Sequence, residues 1–287
     1  MRYYRPATTA EAVAALASRP HDSRILVGGT DLLVAIRHRA VEPGLLVDIK
    51  SLEDAAAPIE VDDAGVTFGP TATMSDVVAH PVVQEWYPGL VEAAVLVGSV
   101  AIRNRASLIA NSANGSPAAD TSPPLVALDA SVTISSVSGE RTTPLREFFL
   151  APRRTLCAPG EMVTSLRVPR PGPGSSSAFE RMTRRRGVDL ATCSVGAVVD
   201  GDGAVTVGLG AVGPTTLLGG PVAPFDLGSA EELERAVDDL LAPATPIGDV
   251  RAGLEYRTAM VRVLARRAIL RAAARRTGPA RPQKDTP

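Results

Sequence analysis

The chain has 287 residues, a net charge of −1, 45 % hydrophobic and 21 % charged residues. This length allows one large domain or two to three compact subdomains around a sizeable core, and the balanced charge points to neither nucleic acid nor an anionic membrane. Aromatic residues are only 3 %, too few for base-stacking platforms, and the two cysteines, Cys157 and Cys193, form no CxxC pair.

In chain order, "TTAEAVAALASRP" opens with Thr8 three residues before Glu11, a capping-box spacing that predicts a helix ending at Pro20. "SRILVGGTDLLVAIRHRA" reads as a short strand, a turn at Gly28-Gly29, and a helix or second apolar segment; "GLLVDIKSL" is another buried strand. Residues 58–69 predict a hairpin around Asp63-Ala64-Gly65. Thr73 and Asp76 repeat the capping-box spacing, and two helices broken near Pro81 and Pro88 are expected after them. A loop of small residues follows, "ASLIANSANGSPAAD", and then an apolar piece, a strand pair turning at Ser138-Gly139, and the strand "EMVTSLRVP". "PGPGSSS" at 171–177 is the clearest composition shift and a plausible domain boundary. Beyond it come Val-rich strands joined at Asp200-Gly201-Asp202-Gly203, two amphipathic helices, and a Pro-rich tail at 277–287 expected to be disordered.

Two loops carry candidate chemistry. In "VGGTDLL", two glycines after a strand let the backbone approach a ligand and aim successive N–H groups at it, as in a phosphate cradle. In the second loop, Asn104, Asn111 and Asn114 offer amides, Ser107, Ser112 and Ser116 offer hydroxyls, and Asp120 offers an acceptor for ribose hydroxyls. Either loop alone also reads as an ordinary turn. "GLGAVG" at 208–213 fits GxGxxG, but Pro214 and the Gly-Gly-Pro beyond it leave no room for the helix a dinucleotide fingerprint must open. The arginine run 184–186 and the Arg-rich last helix read as solvated faces, with Arg257, Arg266, Arg267 and Arg271 expected to pair with acids or to contact partner subunits. His21, His38 and His80 have no metal-ligand spacing, and no catalytic residue or metal site is assignable.

Taken together, and with their spacing, the two loops resemble the FAD-binding medium subunit of molybdenum hydroxylases, of the carbon monoxide dehydrogenase and xanthine dehydrogenase type. The family's usual text is Gly-Gly-Thr/His/Ser-Asp/Ser-Leu-Leu, then Ile-Arg-Asn, Thr-Ile-Gly-Gly-Asn, Ala-Asn and Ser-Pro-Ala-Ala-Asp. The similarity runs on through "RTTPLREFFL", "RRRGVDLATCSVGAVV", "GLGAVGPTTLLGG" and "LEYRTAMVRVLARRAI", so it spans nearly the whole chain in order. It implies an α+β architecture, the PCMH-type FAD-binding fold: subdomains at 1–55 and 56–172 hold FAD between them, and a C-terminal unit of antiparallel sheet and helices at 178–276 covers the flavin. It implies FAD contacts from Val27, Gly28, Gly29, Thr30, Asp31 and Leu32 in the first loop, and from Ser107, Leu108, Asn111 and Asp120 in the second. "GVDLAT" at 187–192 would lie near the flavin.

The implied activity is an oxidoreductase subunit that passes electrons from an iron–sulfur partner, fed by a molybdopterin subunit, to NAD or another acceptor. Neither a nucleic-acid nor a membrane partner is expected. The N-terminal "MRYYRPATTAEA" lacks an apolar signal region, so a cytoplasmic location is expected. One departure stands out: Ile109 and Ala110 occupy the places of the family's Gly-Gly. If those glycines used positive φ, a β-branched Ile would be strained there; if they allowed close approach, the side chains would fill the phosphate's space. Either way FAD should bind more weakly, differently or not at all. That opens a second reading, a repurposed stand-alone cyclase or isomerase of biosynthesis, and a third, a scaffold without a ligand.

Overall fold

A computed structural model describes residues 1–277. Thr277 closes the last helix, and the rest of the segment read as a disordered tail lies outside the described residues.

The first unit is a small parallel sheet. Strands β1 (Arg2–Tyr4), β2 (Ser23–Leu26) and β3 (Leu45–Asp48) pair in the order β1-β3-β2. Helix α1 (Thr9–Ser18) joins β1 to β2, and α2 (Leu32–Arg37) precedes β3. Thr8 Oγ1 accepts from Glu11 N–H at 3.2 Å, while the Glu11 carboxylate reaches back to Ala7 N–H at 2.8 Å. Ala12, Val13 and Leu16 of α1 pack with Val47 and Ile49 in the small core this makes.

The second unit is an antiparallel sheet of order β4-β5-β10-β6-β7, made by β4 (Ile59–Asp62), β5 (Gly65–Phe68), β6 (Ser131–Ser136), β7 (Gly139–Pro144) and β10 (Met162–Pro169). Between β5 and β6 lie six short helices: α3 (Met74–Ala79), α4 (Pro81–Trp86), α5 (Pro88–Val95), α6 (Val100–Arg103), α7 (Leu108–Ala113) and α8 (Ser122–Ala127). A turn, α9 (Leu145–Phe148), and a hairpin of β8 (Phe149–Ala151) and β9 (Arg154–Thr155) lead into β10. The stretch expected to hold two helices holds three. Pro81 and Pro88 each begin a helix rather than merely ending one, because the first turn needs no N–H from its leading residue. The small-residue loop likewise contains a helical turn, α7, and the apolar piece after it is α8.

The third unit is an antiparallel sheet of β11 (Ser176–Met182), β12 (Cys193–Val199), β13 (Val205–Gly210) and β14 (Leu217–Val222), in sequence order. Helices α10 (Ala230–Leu241) and α11 (Leu254–Thr277) bury Leu233, Val237, Leu264 and Ile269 against it. The other face receives α8 of the second unit. A Cβ on Gly208 would stand 1.9 Å from Pro123 O, and one on Gly196 2.5 Å from Pro124 N. Gly208 and Gly210 of "GLGAVG" therefore serve helix-on-sheet contact, and β14, not a helix, follows the motif. The same junction carries an ion-pair network in which Glu92 of α5 meets Arg271 and Arg275 of α11. No helix among the described residues is long and apolar enough to cross a membrane.

Candidate functional site

The three units enclose a cleft of about 1370 Å³, lined by the first loop, by the second loop, and by residues 185–190, 211–214 and 245–257 of the third unit. Its size exceeds that of a pocket for an ordinary small ligand.

The first loop leaves β2 and enters α2. Gly28 presses against the end of the segment before α7: a Cβ there would lie 1.8 Å from Arg105 O. Gly29 has φ +71°, a left-handed conformation that favours glycine. Val27, Gly28, Gly29, Thr30, Asp31 and Leu32 all line the cleft. Across from them the second loop begins at Ser107, whose Oγ caps α7 by accepting from Ala110 N–H at 3.3 Å. The N–H groups of Gly29, Thr30, Asp31, Ser107 and Ile109 have no partner among the described residues. Two sets of free backbone donors thus come from residues that line one cavity, an arrangement suited to an anionic pyrophosphate.

Side chains tie the two loops together. Asn114 Nδ2 donates to Asp31 Oδ2 at 2.8 Å, and Arg153 donates to Asn114 Oδ1 at 3.5 Å. Asn111 Oδ1 accepts from Thr121 Oγ1 at 2.7 Å, leaving its NH₂ for other partners. Asp120, at the far end of the loop, is bound by Arg181 and pushed by burial up to about 6, against the pull of that guanidinium. Cys157 also lines the cleft, but burial raises its thiol to about 11, so it is no thiolate. No group of His, Cys, Asp and Glu among the described residues can hold a metal.

Nine of the ten residues expected to contact FAD meet at this cleft. Leu108 does not: it is fully buried in the second core, and its N–H bonds Ala72 O at 2.9 Å. The backbone-strain half of the objection to Ile109 and Ala110 does not apply, while both residues line the cleft. Both lie in the first turn of α7, and neither has positive φ. The Ile109 side chain packs into the second core at 5 % exposure, and Ala110 adds one methyl at the cleft wall. Asn104 lies outside the cleft and accepts from Ser75 at 2.5 Å. The sequence reading missed Arg153, Arg181 and Ala211; Arg257, named there among arginines that pair with acids, bonds Asp249 at 2.7 Å at the cleft. Arg153 and Ala211 carry positive φ, a backbone property that residue type does not announce.

The unpartnered donors and the glycine-lined approach fit FAD. Comparison with known proteins agrees. Residues 1–171 match the FAD binding domain in molybdopterin dehydrogenase, and residues 177–272 match the CO dehydrogenase flavoprotein C-terminal domain. The carbon monoxide dehydrogenase medium chain of Hydrogenophaga pseudoflava is 31 % identical over 280 residues, covering 95 % of this chain and 97 % of that one. The nicotine 6-hydroxylase medium subunit of Paenarthrobacter nicotinovorans is 31 % identical, covering 96 % and 98 %. The reconstituted CO dehydrogenase from Oligotropha carboxidovorans superposes with a TM-score of 0.89 at 30 % identity, covering 96 % and 98 %. The chain belongs to the FAD-binding medium subunits of the molybdenum hydroxylase family, a flavin-dependent oxidoreductase component with FAD as its cofactor.

Proposed function

We propose that this chain relays electrons from an iron–sulfur subunit, supplied by a molybdopterin subunit, to NAD or another acceptor within a cytoplasmic complex. The carrying observation is the pair of loops, both lining one cleft, whose residues carry backbone N–H groups without partners among the described residues. Gly28, Gly29, Thr30, Asp31, Ser107 and Asn111 would hold the pyrophosphate and its neighbours, with the sugar end toward Asp120. Val27 and Leu32 would add apolar walls, and Val188 and Leu190 would shield the cleft from the third unit. The working boundaries are 1–55 and 56–172 for the two units that grip FAD, and 178–276 for the one that covers it. When bound, FAD supplies the redox chemistry, and the protein supplies binding, orientation and exclusion of water. The names of the relatives support a multi-subunit setting: they are medium chains and FAD-binding subunits. A cyclase or isomerase role finds no support among them.

The test is to purify the chain, add FAD, and record visible spectra before and after NADH. A yellow protein that releases FAD on denaturation and bleaches with NADH is expected. A protein that stays colourless with micromolar FAD overturns the reading. A yellow protein inert to NADH but reduced by its iron–sulfur partner assigns another acceptor.

A further inference from the structure

The third sheet reaches the second loop through a buried ion pair. Asp120 stands just before α8, and Arg181 projects from β11. Arg181 Nη1 donates to Asp120 Oδ2 at 2.6 Å, with the two side chains 9 % and 11 % exposed. The other oxygen, Asp120 Oδ1, is buried without a partner among the described residues, although Asp120 forms part of the cleft wall. A buried acceptor left unbonded is costly, so a donor arriving from the cleft would relieve it. The polar groups around the pair are uncharged. Thr121 precedes α8 and Ser122 opens it, and Ser194 sits opposite Arg181 on β12, with its own hydroxyl unpartnered among the described residues. Arg181 is the charged group that acts on Asp120 among the described residues, and both its charge and its hydrogen bond oppose the effect of burial.

We propose that Arg181 is a positioning residue for the cofactor: its bond to Oδ2 turns the Asp120 carboxylate so that Oδ1 accepts a sugar hydroxyl of bound FAD. The inference rests on the flavin reading above. A hydrogen bond to an ionised acceptor is stronger than one to a neutral group, so the hold on FAD depends on the charge of Asp120. Arg181 comes from the unit after the 171–177 connection, so the third sheet takes part in cofactor binding through this contact as well as by covering the cleft.

The experiment measures FAD affinity of the full chain by flavin fluorescence between about pH 5 and pH 8, for the natural protein, R181M, R181K and D120N. The natural protein should bind more tightly as pH rises through about 6, then level off. R181M should lose about tenfold in affinity at neutral pH and regain part of it at the alkaline end, because its carboxyl ionises later. R181K should follow the natural profile, and D120N should bind weakly with no slope. R181M matching the natural protein throughout overturns the inference and leaves the flavin reading standing. So does an equal loss at every pH in both R181M and R181K, which marks a structural role. If R181M does not fold, the slope in the natural protein against its absence in D120N carries the test; a D120N that keeps the slope overturns the inference. Failure of the natural protein to bind FAD at any pH overturns the flavin reading and this inference with it.

Discussion

The two loops that face the cleft solve the same task with different backbones. The first needs its glycines: Gly28 lies where a Cβ would meet Arg105 O at 1.8 Å, and Gly29 has φ +71°. The second has no glycine at Ile109-Ala110 and needs none there, because the chain is helical at that point and Ser107 caps it. Glycine in a phosphate-binding loop therefore carries two separable roles, close approach and unusual φ. A helix N-terminus replaces both by pointing its free N–H groups forward in ordinary α conformation.

The strongest way to break this comparison is to restore the family's text with I109G and A110G together. The double variant should lose about 3–5 kcal/mol of stability, from the emptied Ile109 site and the helical glycines, with no gain in FAD affinity. Urea unfolding and flavin titration check it; tighter FAD binding would show that the side chains do obstruct the site. Next, G28A should cost about 1–3 kcal/mol through overpacking against Arg105 and weaken FAD retention as well, read by thermal unfolding and flavin release.

The acid end of the second loop has a pH signature. Burial holds Asp120 near 6 in the folded chain, above the usual 3.8, so the fold disfavours its ionised form. Its contribution costs stability above about pH 6, and that cost is relieved as pH falls from there toward 4. Across that window the stability of the natural protein relative to D120N should shift by about 2 kcal/mol in favour of the acid side, measured by urea unfolding at both ends. The smallest effect is expected from N114A, which cuts the bond to Asp31 between the loops. It should cost about 1 kcal/mol of FAD affinity with almost no change in unfolding midpoint, since the contact is exposed.

Local rules reached far into this fold. The capping-box spacings at Thr8 and Thr73 mark real helix starts, the second closing as a full box, and the turns at Asp63-Ala64 and Asp200–Gly203 join antiparallel strands. Each depends on neighbours within a few residues, so the sequence displays it directly. The site was legible as two loops because backbone approach and N–H donation are properties of short segments. Leu108 was misplaced because its face is set by packing against the sheet, and the second loop concealed a helical turn because small residues suit helix and loop alike. The expected backbone strain at Ile109 is absent for the same reason: φ at that residue follows from the cap at Ser107 and the core beneath, not from its own identity.

By itself, then, the sequence determined the family and the two segments that line the cleft. Tertiary structure alone decided that Asn114 bonds Asp31 across 83 residues, that Arg181 pairs with Asp120 across 61, and that Gly208 and Gly210 admit α8 to a sheet. These contacts join units with separate cores, and no local pattern encodes a partner that the chain meets only after each core has packed.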